Sequence, residues 1–205
     1  NDPASTFYVP EVSTLPFERL VPDQATIHQR VQALDALMST GNGSRNPPVL
    51  VASVPALTQM TLSPKVFEQN SEIVRVGDRI SLPARIQKWN SLGYLNEHMV
   101  ASPGTIGHRG GIIDLWPPTE FLPLRIELFG ELVDSIRRFD PNTQRSVESI
   151  TSVRVTPAAE ILPRLITASQ VNVLWENLGF PKDAPSLKEQ ISSELSSLTS
   201  GELGD

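Results

Sequence analysis

The sequence predicts a mixed architecture: a partial α/β layer, then an α+β module built on an antiparallel sheet, then further helix. Three observations predict it. Near the N-terminus, helical spacing gives way to a short strand apolar on both faces and then to further helix, the rhythm of a doubly wound sheet. In the middle, strand-like segments follow one another through turns containing Gly and Pro. Towards the C-terminus helical spacing returns.

The first helix is read from "PDQATIHQRVQALDALMSTG", where Ile27, Val31, Leu34 and Leu37 or Met38 recur at helical spacing. Asp23 is placed to cap it and Gly41 to stop it. After the loop "GNGSRNPP", the run "VLVASV" (Val49 to Val54) reads as a strand buried on both faces, as in a parallel sheet. Short helices are expected after Ser53 and at Ser63-Pro64, where proline suits the first helical position. These strands are too few to complete a domain, so residues 1–76 read as part of one.

Residues 77–157 differ in character. One helix places Leu82, Ile86, Trp89 and Leu92 on a face and ends at Gly93. The strands "GGIIDLW", "LRIELF", "LVDSIRRF" and "ITSVRVTP" follow, separated by "PPTEFLP", Gly130-Glu131 and "DPNTQRS". An antiparallel meander covered by one helix, roughly 80 residues long, is large enough to hold a modest core. Residues 158–205 return to helix, with Thr167 as one cap, Gly179 as a stop and a capping-box pattern at Ser186–Glu189.

Composition excludes several functions. The 205 residues carry a net charge of −6, which argues against nucleic-acid binding by bulk electrostatics. No apolar run approaches the ~20 residues of a membrane span, and "NDPASTFYVP" lacks the features of a signal peptide. The chain has no cysteine, which fits a reducing, cytoplasmic setting. None of Lys65, Lys88, Lys182 and Lys188 lies in a phosphate loop. His28, His98 and His108 are scattered without ligand spacing, so each reads as a surface or satisfied histidine. No catalytic, cofactor or metal site emerges. Residues 77–157 hold nine basic side chains, eight of them arginine, the cation suited to desolvated contacts with carboxylates.

Alternation along "LRIELF" sets Leu124, Ile126 and Leu128 on one face and Arg125, Glu127 and Phe129 on the other. An arginine and a phenylalanine on the face that should be wet is the pairing enriched at binding hot spots. The alternative is that Phe129 tucks under the Leu82–Leu92 helix or is covered by a long side chain nearby. Arg109, in "RGGIIDLWPP", is either a strand-end arginine beside a Gly110-Gly111 bulge or, if its strand pairs with "LRIELF", a companion of Arg125.

The blocks "FYVPEVSTLPFERLVPDQATIHQRVQAL", "VLVASVPALTQ", "GYLNEHMVASPGTIGHRGGIIDLWPP" and "LRIELFGELVDSIRRFDPNTQRSVESI" resemble the amino-terminal region of the bacterial transcription-repair coupling factors, the Mfd family, itself similar to the excision-repair protein UvrB. The likeness covers about residues 7–163. It implies that residues 1–76 are part of a degenerate RecA-like, helicase-type domain. Residues 77–157 would then be an inserted UvrB-like module that binds UvrA, and 158–205 a return to the parent domain with a helical tail. The implied function is recruitment of UvrA to stalled RNA polymerase in transcription-coupled nucleotide excision repair. In the full-length protein RNA polymerase and double-stranded DNA are further partners. The implied UvrA contacts are Arg109, Arg125 and Phe129. His108 and Trp116 depart from the family's commoner residues, and His108 lies beside Arg109. Without a phosphate loop the chain is expected to be a monomeric binding fragment and not an enzyme; the competing reading is a nucleotide- or DNA-dependent helicase-like fragment.

Overall fold

The computed structural model describes residues 6–12, 23–40, 47–160, 162, 189 and 193. Residues 1–161 and 162–205 are two compact units, and the elements named here belong to the first. The expected stop at Gly41, and the caps and helices expected after residue 163, lie outside the described residues, apart from Glu189 and Ser193, which are helical.

Strand β1 (Thr6–Val9), helix α1 (Gln24–Thr40) and strand β2 (Val49–Ala52) form a β-α-β unit, with β1 and β2 parallel in the register Thr6↔Val49 to Val9↔Ala52. Asp23 caps α1, its carboxylate accepting the Thr26 N–H at 3.1 Å. The buried stripe of α1 agrees with the predicted one at Val31 and departs from it elsewhere. His28, Arg30, Val31 and Ala33 are buried while Leu37 is exposed. Arg30 tolerates this because it pairs with Glu160 and donates to the Pro10 carbonyl at 2.8 Å. His28 is neither a surface nor a satisfied histidine: it is buried, and its Nε2 has no hydrogen-bond partner.

The expectation for "VLVASV" also needs correction. β2 stops at Ala52, and Val49 and Val51 are exposed; among the described residues β1 is its one strand partner. Ser53 instead caps α2 (Val54–Thr58), accepting from Ala56 N–H. Ser63 caps α3 (Pro64–Gln69) in the same way, with proline in its first turn.

Strand β3 (Glu72–Arg75) leads through Ile80 into α4 (Leu82–Ser91), which buries Trp89, followed by the buried Leu92. The Trp89 indole donates to Glu72 at 2.7 Å, and Lys88 to the same carboxylate at 2.8 Å. Burial alone would raise the Glu72 carboxyl; the bonds from Lys88 and Arg85 outweigh it and hold the group below its ordinary value.

A six-stranded sheet follows, in spatial order β4 (Leu95–Asn96), β5 (Thr105–Arg109), β6 (Ile112–Leu115), β7 (Leu124–Phe129), β8 (Leu132–Phe139) and β9 (Ser146–Ile150). β4 and β5 are parallel, and the remaining neighbours antiparallel. Its core face holds Ile106, Ile113, Leu124, Ile126, Val133 and Ile136, all essentially inaccessible. A register shift where β7 meets β8 lets Val133 and Ile136, three residues apart, both face that core. The predicted strand "ITSVRVTP" divides at Thr151. β9 ends the meander at Ile150, and β10 (Ser152–Val155) leaves it to pair antiparallel with β3. The sequence could not show this, because β3 is a four-residue strand whose partner lies some eighty positions away.

Candidate protein-interaction face

Side chains directly opposite one another in antiparallel strands share a face, so the register lays out the non-core surface of the sheet in rows. One row runs Gly107, Asp114, Arg125, Arg137 and Ser149 across β5 to β9. The next runs Arg109, Ile112, Glu127 and Ser135. The hairpin of β7 and β8 closes with Phe129 opposite Leu132. All three sequence-predicted site residues therefore lie on this surface. Arg109 is brought there by a hairpin between β5 and β6 and not by direct pairing with β7. Gly110, at φ +58°, makes its two-residue turn, and a side chain on Gly111 would meet the Leu128 carbonyl at 2.8 Å.

The three residues have different surroundings. Arg125 is locked. Its Nε and Nη2 donate to the two Asp114 oxygens at 2.7 and 2.9 Å, and it also donates to the backbone and side-chain oxygens of Gln144, both at 3.3 Å. Its guanidinium stacks over Phe139, 4.6 Å from the ring centroid. Only 14% of the side chain is accessible. The Asp114 hydrogen bonds raise its pKa further above the ordinary value, against the opposing effect of burial. Arg137 sits directly opposite Arg125, an unfavourable like-charge pairing. Each has its own acid, however: Asp114 for Arg125 and Glu127, at 3.5 Å, for Arg137.

Arg109 is tethered but open. One Nη2 contact reaches Asp114 at 3.2 Å, and 61% of the side chain faces solvent. His108 does not crowd it, since adjacent strand residues point to opposite faces and His108 lies opposite Ile113. Trp116 turns its indole N–H onto the Glu120 carbonyl at 3.0 Å. Phe129 is 82% exposed at the end of β7, which rules out its tucking beneath α4. Burying such a ring is worth about 1.5–3 kcal/mol, and this fold leaves most of that unrealised.

Sequence reasoning missed Asp114 and Gln144. The signal for Asp114 was present: an acid in the otherwise apolar "IIDL", in a strand that alternation allows to face Arg125. Gln144 gave none, since its role depends on a left-handed backbone (φ 61°) in the turn before β9. An open cleft of about 590 Å³ lies beside the β4–β5 edge, lined by Glu97, His98 and His108 among others. Among the described residues no cluster of His, Asp and Glu has the arrangement to hold a metal ion, and no helix is long and apolar enough to cross a membrane.

Residues 73–161, from β3 to just beyond β10, match the UvrB interaction domain family. The segment is thus similar to that domain. Over more of its length the chain is similar to transcription-repair-coupling factors. Identity is 38% with that of Bacillus subtilis over 66% of this chain, 38% with that of Myxococcus xanthus over 75%, and 30% with that of Escherichia coli over 72%. The chain spans only 11–12% of the length of these relatives.

Proposed function

We propose that the UvrB interaction domain of this chain docks UvrA through the exposed sheet face, with Phe129 as the apolar anchor and Arg109 as the flanking cation. Arg125 is a positioning residue: it holds Asp114, which in turn restrains Arg109. The observation that carries this reading is the exposure of Phe129 on the same sheet face as an open arginine, since aromatic and arginine side chains dominate binding hot spots. The likeness to transcription-repair-coupling factors supports a wider role, in which a longer cytoplasmic protein delivers UvrA to RNA polymerase stalled on damaged DNA. The parallel β1-α1-β2 unit supports a RecA-like parent domain around the module. The chain itself acts as a binding module and not an enzyme; ATP turnover by the purified chain would overturn that part.

The test is a calorimetric titration of UvrA against the chain and its Phe129→Ala variant, with circular dichroism establishing that both are folded. The variant is expected to lose affinity by about thirtyfold or more, the scale of a hot-spot truncation. Equal affinities would place the contact elsewhere.

A further inference from the structure

Arg79 was not singled out by the sequence, yet the fold brings it to the same surface. The segment from Gly77 to Ile80 continues the sheet beyond the first half of β8. Gly77 N–H donates to the Val133 carbonyl at 2.8 Å, Val133 N–H to the Asp78 carbonyl at 2.9 Å, and Ile80 N–H to the Glu131 carbonyl at 2.8 Å. Within this ladder Arg79 lies directly opposite Leu132, which is itself opposite Phe129. Ile80 is buried, so alternation turns Arg79 outward. Across the sheet the order is Arg109 on β5, Phe129 on β7, Leu132 on β8, then Arg79. Two strand spacings, about 10 Å, separate the Phe129 strand from each arginine's strand.

Arg79 is exposed, and among the described residues its side chain has neither an ion pair nor a hydrogen bond. Arg85, Arg125, Arg138 and Arg154 are each held by acidic side chains. The adjacent acid Asp78 is engaged elsewhere, accepting the Arg75 N–H at 2.7 Å. A cation without an ion pair among the described residues, on a chain of net charge −6 and in one row with an exposed phenylalanine, is arranged for an acidic counterpart on another molecule.

We infer that Arg79 is a second cationic contact of the docking face, bracketing Phe129 with Arg109. The partner surface then presents an apolar pocket with a carboxylate on each flank. This rests on the docking function just proposed. Because Arg79 lies at the rim, it acts mainly by speeding association.

The experiment measures binding kinetics of the 205-residue chain on immobilised UvrA for the native sequence, Arg79→Glu, Phe129→Ala and Lys65→Glu. The last makes the same charge change on α3, and circular dichroism accompanies each variant. Arg79→Glu is expected to slow association by about tenfold, with the effect shrinking as added salt shortens the Debye length. Lys65→Glu is expected to stay within about twofold, as a charge outside the interface. If Arg79→Glu matches Lys65→Glu while Phe129→Ala abolishes binding, docking at this face stands and the role of Arg79 is refuted. If Phe129→Ala also binds normally, or the native chain does not bind, the docking reading fails and this inference with it.

Discussion

Arg125 and Phe129 lie four residues apart on one strand and point to the same face, yet they are in opposite situations. Arg125 has a carboxylate, two Gln144 oxygens and an aromatic ring around it. Phe129 has open solvent over most of its surface. The difference separates two meanings of a polar or aromatic residue on a sheet face. A charge whose counter-charge lies in its own sheet is part of the fold. A hydrophobic ring left uncovered beside a partly free cation is available to another molecule. Arg109, sharing Asp114 with Arg125 but mostly open, stands between the two.

The comparison is broken most severely at Asp114. Asp114→Ala leaves the Arg125 guanidinium largely enclosed without its carboxylate, and is expected to cost about 3–5 kcal/mol in urea denaturation, the scale for removing one partner of a buried pair. Replacing both members, Asp114→Leu with Arg125→Met, should recover much of that loss, because no unmatched charge remains. A cost below about 1 kcal/mol for the single variant would mean that Arg125 reaches solvent, and the distinction between the two ends of the face would fall.

Arg109 sharpens the comparison from the open side. Arg109→Ala should change stability by no more than about 0.5 kcal/mol, as for an exposed residue, while weakening UvrA binding severalfold. Arg125→Ala should lose both, and in proportion, because its effect on binding passes through the fold. Denaturation and titration of the two variants side by side distinguish them. An Arg125→Ala protein of native stability that no longer binds would make Arg125 a direct contact after all.

How much of this was legible follows from where the information lies. The faces of β7 were readable because alternation is a local property, and the register shift beside it falls on β8. The cap at Asp23 and the helix starts at Ser53 and Ser63 were readable for the same reason. β1, β3 and β4, of four, four and two residues, are too short to declare a period. Inward Arg30 was hidden because its counter-charge, Glu160, is 130 positions away. Arg79 was hidden because its place depends on a ladder with β8 that no local pattern encodes. The resemblance to transcription-repair coupling factors named Arg109, Arg125 and Phe129 together, but only geometry separates an enclosed, paired Arg125 from an open Arg109 and Phe129.

The smallest expected effect concerns a group away from the contested rows. His28, on α1, is buried with an unpartnered Nε2, and burial lowers its pKa below the ordinary 6.5 against the weaker attraction of Asp23. Between that lowered value and 6.5 the unfolded chain binds more protons than the folded one. Stability is therefore complete above about pH 6.5 and declines as pH falls through the window beneath it, by at most about 1.4 kcal/mol per pH unit for one proton. Glu72, whose pKa is depressed from 4.5, loses its contribution only at lower pH and does not overlap the start of that decline. A His28→Gln variant should show a flatter profile from pH 7 to 5.5, whatever its absolute stability, since glutamine takes up no proton. UvrA affinity of the folded chain should not change with His28→Gln across the same range, because none of Arg109, Phe129 and Arg79 depends on that imidazole. A matched pH dependence of stability and binding that disappears in His28→Gln would instead couple α1 to the sheet face, and the open end could no longer be treated as independent of the buried charges beneath the fold.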